Sequence, residues 1–138
     1  SCNGSGIFQS YPSNFGRIDY PCQKQILVLE DEPIIGFALE DMLEAIGCSA
    51  VLIATRLEEA RLIIASGRVD AAILDVNIHG QRSYPVADEL AQRQLPYIFA
   101  SGYGDTEHPE EHRSVPTVTK PYSIDDIRAA LSLALGQA

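Results

Sequence analysis

The chain has 138 residues, 46% of them hydrophobic, and a formal charge of −9. That length supports one domain with a sizeable core and is short for two. With no Lys/Arg cluster it lacks the surface that neutralises nucleic-acid phosphates, and its apolar runs fall far below the stretch of about 20 residues that spans a bilayer, so a soluble, cytoplasmic protein is expected, binding neither nucleic acid nor membrane.

Residues 1–24, SCNGSGIFQSYPSNFGRIDYPCQK, mix Gly, Ser, Asn, Pro and scattered aromatics without helical or strand period. They read as an N-terminal tail ahead of a domain over 25–138, or as an arm that docks through Phe8, Tyr11 and Phe15. Cys2, Cys22 and Cys48 form an odd set without CxxC spacing, which argues against a disulfide framework and a zinc knuckle.

From residue 25, apolar blocks alternate with helical patterns. QILVLE (25–30), SAVLIA (49–54), DAAILD (70–75), PYIFAS (96–101) and VPTVT (115–119) are continuous rather than alternating, as parallel strands covered on both faces are. Between the first two, Ile35, Leu39, Met42, Leu43 and Ile46 fall at helical spacing after Pro33, a good first-turn residue, and Gly47 ends the helix. Thr55 with Glu58 reads as a capping box for the second helix, a third helix is expected over 84–93, and Ser123 with Asp126 caps the last, whose stripe is Ile124, Ile127, Leu131 and Ala134. Pro109 interrupts GYGDTEHPEEHRS (102–114), so a helix there is short or irregular. Strand and helix in regular alternation predict an α/β domain, a doubly wound five-stranded parallel sheet with helices on both faces.

Ligands of such sheets sit at the carboxyl ends of the strands. Glu30-Asp31-Glu32, Asp75, Ser101-Gly102 and Thr119-Lys120-Pro121 stand there. Two carboxylates about 4 Å apart repel by roughly 4 kcal/mol at an effective dielectric near 20, so a proton or a cation is expected among them. Hard oxygen ligands without nearby His or Cys favour Mg²⁺. An aspartate beside Mg²⁺, with the Lys120 ammonium and the Ser101 hydroxyl across from it, suits in-line attack of Asp75 on phosphorus, giving an acyl phosphate.

LVLEDEP, AAILDVN, FASG and TKPY, in this order and at strand ends, resemble the four signatures of the response-regulator receiver domain, over about residues 25–135. The resemblance implies a flavodoxin-like sheet in strand order 2-1-3-4-5. It implies that Asp75 accepts phosphate from a histidine kinase or phosphotransfer protein. Glu30 and Asp31 would hold Mg²⁺ with Asp75, and the backbone carbonyl of Asn77 would complete the protein ligands. Ser101 would be the switch hydroxyl and Lys120 the phosphate-binding lysine, ahead of a Lys-Pro bond that is often cis in the family. Such a domain catalyses only its own phosphorylation and dephosphorylation, and this chain, its length used up by one domain, would signal through a downstream protein.

IFASGYG with RSYPVADEL is similar to the FATGUY subgroup of single-domain receivers, in which the fourth helix is reduced. Two departures matter. Thr117 stands where many receivers carry a switch aromatic, with Tyr103 the expected substitute, and His79 replaces a common proline.

Three other functions fit parts of the sequence less well. HPEEH (108–112) fits an inverted zinc-peptidase spacing, but no downstream Glu follows, and a solvated surface turn is expected instead. A phosphatase of the haloacid-dehalogenase type needs a second acid two residues after its nucleophile, where this chain has Asn77. A receiver-shaped module that binds partners without phosphorylation would have no use for both Asp75 and Lys120.

Overall fold

The computed structural model describes residues 24–102 and 108–136. Residues 1–23 of the tail, with Phe8, Tyr11 and Phe15, and Tyr103 lie outside these residues. The chain runs β1 (Gln25–Leu29), α1 (Pro33–Ile46), β2 (Ala50–Ala54), α2 (Leu57–Ala65) and β3 (Ala71–Asp75), followed by a hairpin of β4 (Asn77–Ile78) and β5 (Gln81–Arg82). It continues through α3 (Tyr84–Gln92), β6 (Tyr97–Ser101), a 3₁₀ turn (Glu110–His112), β7 (Thr117–Thr119) and α4 (Ile124–Ala134). No helix among the described residues is long and apolar enough to cross a membrane.

Five strands form one parallel sheet in the order β2-β1-β3-β6-β7. This is the expected 2-1-3-4-5 once the hairpin strands take their numbers. The apolar blocks mark the strands because both sheet faces are covered. On one side Leu27, Leu29, Ala72, Leu74 and Phe99 pack with Ala60 and Ile64 of α2 and Val86, Ala87 and Leu90 of α3. On the other, Ile26, Val28, Ile73, Ile98 and Val118 meet Leu39 and Leu43 of α1 and Ile127 and Leu131 of α4.

Local signals behave as expected at most boundaries. Pro33 opens α1, and Gly47 closes it at φ 108° with its N–H on the Leu43 and Glu44 carbonyls. The Ser123–Asp126 capping box is complete in both directions. The second helix corrects the sequence reading: its N-cap is Arg56, without a side-chain cap, and Thr55 N–H donates to Glu59 Oε1 at 3.0 Å, so Glu58 takes no part. Starting one residue later than expected, the helix turns Glu59 rather than Glu58 back towards Thr55.

The second correction concerns HPEEH. Read as a solvated turn, it is instead folded inward, with His108 8% and His112 2% exposed. The first three crossovers each carry a helix of nine residues or more, but the described part of the β6–β7 crossover has only the 3₁₀ turn. One such turn presents no apolar stripe, so histidine rings cover the sheet there. His108 lies on the Phe99 ring with centroids 4.4 Å apart, and His112 stacks on Tyr84 at 5.7 Å and 11°. Their polar tips are satisfied inside the cluster. His108 bonds Tyr84 Oη and Thr117 Oγ1, both at 2.8 Å, and His112 bonds Tyr97 Oη at 2.7 Å and Asp88 Oδ1 at 2.8 Å. With both ring nitrogens engaged on each histidine, neither can offer zinc a lone pair.

Candidate functional site

Parallel pairing brings the carboxyl ends of β1, β3, β6 and β7 to one edge. Leu29 pairs with Leu74, Asp75 with Ala100, and Ser101 with Thr119, so the residues just beyond converge. Glu30, Asp75 and Ser101 are buried there, at 1%, 5% and 0% exposure. Lys120 reaches across from the end of β7, its Nζ 3.2 Å from Asp75 Oδ2 and 3.3 Å from Glu30 Oε1. Its backbone N–H is fixed to the Ser101 carbonyl at 2.9 Å, and the Lys120–Pro121 peptide is cis.

The three acids each have a tether. Glu30 Oε2 accepts from Glu32 N–H at 3.1 Å, and Asp75 Oδ1 from Asn77 N–H at 3.2 Å. Asp31 Oδ2 accepts from His79 N–H at 2.9 Å, across the hairpin turn. One oxygen from each of Glu30, Asp31 and Asp75 lies within 4.8 Å of the other two. Three carboxylates against one ammonium leave the cluster acidic, with hard oxygen donors only, so its chemistry fits a divalent cation such as Mg²⁺.

The electrostatics carry the imprint of that crowding. Burial, and then the Asp75 charge, push Glu30 up from 4.5 to about 7, against the opposing pull of Glu32 N–H and Lys120. Burial alone would lower Lys120, but Asp75 and Glu30 reverse this and hold the ammonium above its ordinary value. Tyr122 is pushed upward as well, first by burial and then by the same two acids. Among the described residues, neither Ser101 Oγ nor Tyr122 Oη has a hydrogen-bond partner, and Glu30 Oε1 has only its ion pair with Lys120.

The structure therefore gathers Glu30, Asp31, Asp75, Ser101 and Lys120 at one edge, with Asn77 held beside Asp75. Thr117 is set apart, at the start of β7, where it bonds His108. Sequence reasoning missed Tyr122, whose buried hydroxyl neighbours the acids, and the backbone of His79, which anchors Asp31. Pro121 beside Tyr122 was the available hint for the first; nothing local marks the second.

The family model of the response regulator receiver domain matches residues 26–132. The chain belongs to the response-regulator receiver family. Its similarity to the phyllosphere-induced regulator PhyR of Methylorubrum extorquens is 30% identity over 118 residues, 80% of this chain. The receiver spans only 43% of that relative's length. Among solved structures, the solution structure of SdrG from Sphingomonas melonis Fr1 is 40% identical, with a TM-score of 0.74 over 81% of this chain and 96% of that one. The BeF3-activated conformation of SdrG, from Pseudomonas melonis Fr1, is 39% identical, with a TM-score of 0.70 over 84% of this chain and 98% of that one.

Proposed function

We propose that this receiver takes a phosphoryl group from a phosphohistidine onto Asp75, within Mg²⁺ held by Glu30, Asp31, Asp75 and the Asn77 carbonyl, and signals through a second protein. The observation that carries the reading is the Lys120 ammonium within 3.3 Å of both Asp75 and Glu30, in a cluster of three acids. An aspartate needed only for folding has no use for a cation site and a lysine aimed at the same oxygens.

In the transfer, an Asp75 carboxylate oxygen attacks phosphorus as the phosphorus–nitrogen bond of the donor breaks, and the histidine nitrogen leaves with the electron pair. Lys120 moves from the carboxylate to the equatorial phosphoryl oxygens, and Ser101 Oγ–H, which has no described partner beforehand, donates a hydrogen bond to one of them. Bound Mg²⁺ supplies the remaining charge neutralisation at those oxygens. Asn77 sits where an aspartyl phosphatase would carry its second acid, so the chain acts on no substrate beyond its own phosphoryl group.

Two further observations support the reading. Ile34 and Phe37 of α1 are 83% and 60% exposed, and Ile34, Ile35, Ala38 and Met42 line an apolar groove that reaches Gly102, Lys120 and Pro121. A helical phosphodonor protein seated there brings its histidine to the acids. The likeness to SdrG, solved in a BeF3-activated conformation, points to the same trapped state here.

The test is incubation with phosphorylated candidate kinases and phosphotransfer proteins, scoring label on wild type and on Asp75→Asn. Transfer is expected to wild type alone. Equal labelling of the variant, or none of the wild type by any donor while it still binds partners, overturns the proposal.

A further inference from the structure

The HPEEH histidines are not absorbed by the function above, yet they occupy the face on which the switch position Thr117 lies. His108 stands between three elements: Tyr84 in the first turn of α3, Phe99 of β6 beneath its ring, and Thr117 at the start of β7. Direction can be assigned to its hydrogen bonds. Thr117 Oγ1 donates to the Val115 carbonyl at 3.4 Å, so it accepts from His108 Nε2–H, and Nδ1 then accepts from the Tyr84 hydroxyl. With the imidazole neutral, the result is a one-way chain, Tyr84 to His108 to Thr117 to Val115.

His112 is wired differently. Its Nε2–H faces the Asp88 carboxylate and its Nδ1 the Tyr97 hydroxyl, so it ties the 3₁₀ turn to the middle of α3 and the start of β6. Those partners are remote from the strand ends. His108's partners are not. Thr117 pairs with Phe99, two residues before Ser101, and Thr119 pairs with Ser101 itself. Tyr97, Phe99 and Ser101 alternate onto one side of β6.

We propose that His108 is a positioning residue of the switch: it couples Thr117 on β7 to Tyr84 on α3 in the unphosphorylated protein, and releases both when Asp75 carries phosphate. The proposal rests on the phosphoacceptor reading of Asp75. Its physical basis is the rigidity of the ring. An imidazole bonded at 2.8 Å on both nitrogens and packed on Phe99 cannot follow a displacement of its β6–β7 floor without losing one bond, since such bonds weaken beyond about 3.5 Å and with misalignment. Ser101 is the residue whose hydroxyl acquires a new acceptor on phosphorylation, and its β6–β7 rung is tied to Lys120 through the backbone. Movement of that rung towards the phosphate is transmitted two residues back, to Phe99 and Thr117. The histidine thus takes the place of an aromatic side chain on β7 itself, and supplies the link from the preceding crossover.

The experiment reads the imidazole nitrogens of the full chain by ¹⁵N NMR during titration with Mg²⁺ and beryllofluoride. In the untreated protein His108 should show the neutral Nε2–H tautomer. On titration His108 should lose it, while His112, whose ring nitrogens face Asp88 and Tyr97 instead, keeps its own tautomer even where its stacking on Tyr84 shifts its signals. Thr117→Val and Tyr84→Phe each keep the shape and remove one bond, so each should lower the beryllofluoride concentration at half-saturation by about fivefold, the equivalent of one net hydrogen bond of about 1 kcal/mol. A purely structural role would lower thermal stability and leave half-saturation unmoved. If Asp75, Ser101 and Lys120 amides respond while His108 and both half-saturation values stay fixed, the coupling is overturned alone. If no strand-end amide responds, the phosphoacceptor reading falls and the coupling with it.

Discussion

Glu30 shows how a single buried residue ties stability to pH and to metal. Its carboxyl is held at about 7 in the folded chain against 4.5 when exposed, chiefly by burial and then by Asp75. Between those values the folded state binds a proton that the unfolded state has already lost, so folding stability declines as pH rises from about 4.5 through about 7. At 1.36 kcal/mol per unit the decline is at most about 3 kcal/mol. Urea denaturation in EDTA at pH 5 and pH 8 should show this loss in wild type and little of it in Glu30→Gln. Mg²⁺ favours the ionised carboxylate, so saturating metal should shrink the wild-type slope. Identical slopes in wild type and variant would remove Glu30 from the account. The acids, Ser101 and Lys120 were legible in the sequence because each follows an apolar block directly, and strand ends are where such blocks stop. Tyr122 and the histidine pair were not, because their burial is conferred by partners distant along the chain, such as Tyr84 and Tyr97, rather than by their own surroundings.

At the scale of elements, the hairpin between β3 and α3 is the piece that apolar periodicity could not reveal. Its strands are two residues each, too short for any pattern, yet it holds Asp31 through His79 N–H and starts with Asn77 beside Asp75. His79 and Gly80 make its two-residue loop with φ of 49° and 80°, the left-handed pair that this kind of turn requires. Gly80→Ala should therefore destabilise the fold by about 1 kcal/mol, the lower end of the left-handed cost for an L-residue, and weaken Mg²⁺ binding by loosening Asp31. Chemical denaturation and metal titration check the two effects. An alanine variant as stable as wild type would mean that the turn relaxes to another form. The five sheet strands, by contrast, were readable to within a residue or two, since β1, β3 and β6 are buried along almost their whole length and so are written in nearly unbroken apolar blocks. The second helix was expected from its capping pair alone, and that cap differs because Arg56 is extended at the entry, so the choice between Glu58 and Glu59 depends on where the first turn begins.

For the molecule as a whole, the sheet separates two kinds of surface. Ile34, exposed on α1, lines the groove that reaches Lys120, and Ile34→Glu should cut phosphotransfer from a cognate donor by tenfold or more while leaving the beryllofluoride response intact. Labelling kinetics and the fluoride titration on the same sample decide it, and unchanged kinetics would move the docking face elsewhere. The strand order also leaves two margins. β7 is three residues bounded by threonines, whereas β2 is five residues, AVLIA, bonded on the β1 side only among the described strands. Partial opening of either neighbouring helix would turn that margin into a template for a second chain. What then keeps molecules apart is mutual repulsion, since each carries a formal charge of −9. Heated solutions should accordingly stay clear at low ionic strength near neutral pH and turn turbid in salt or on acidification, so colloidal stability here is a property of the outward carboxylates rather than of the fold's own rim.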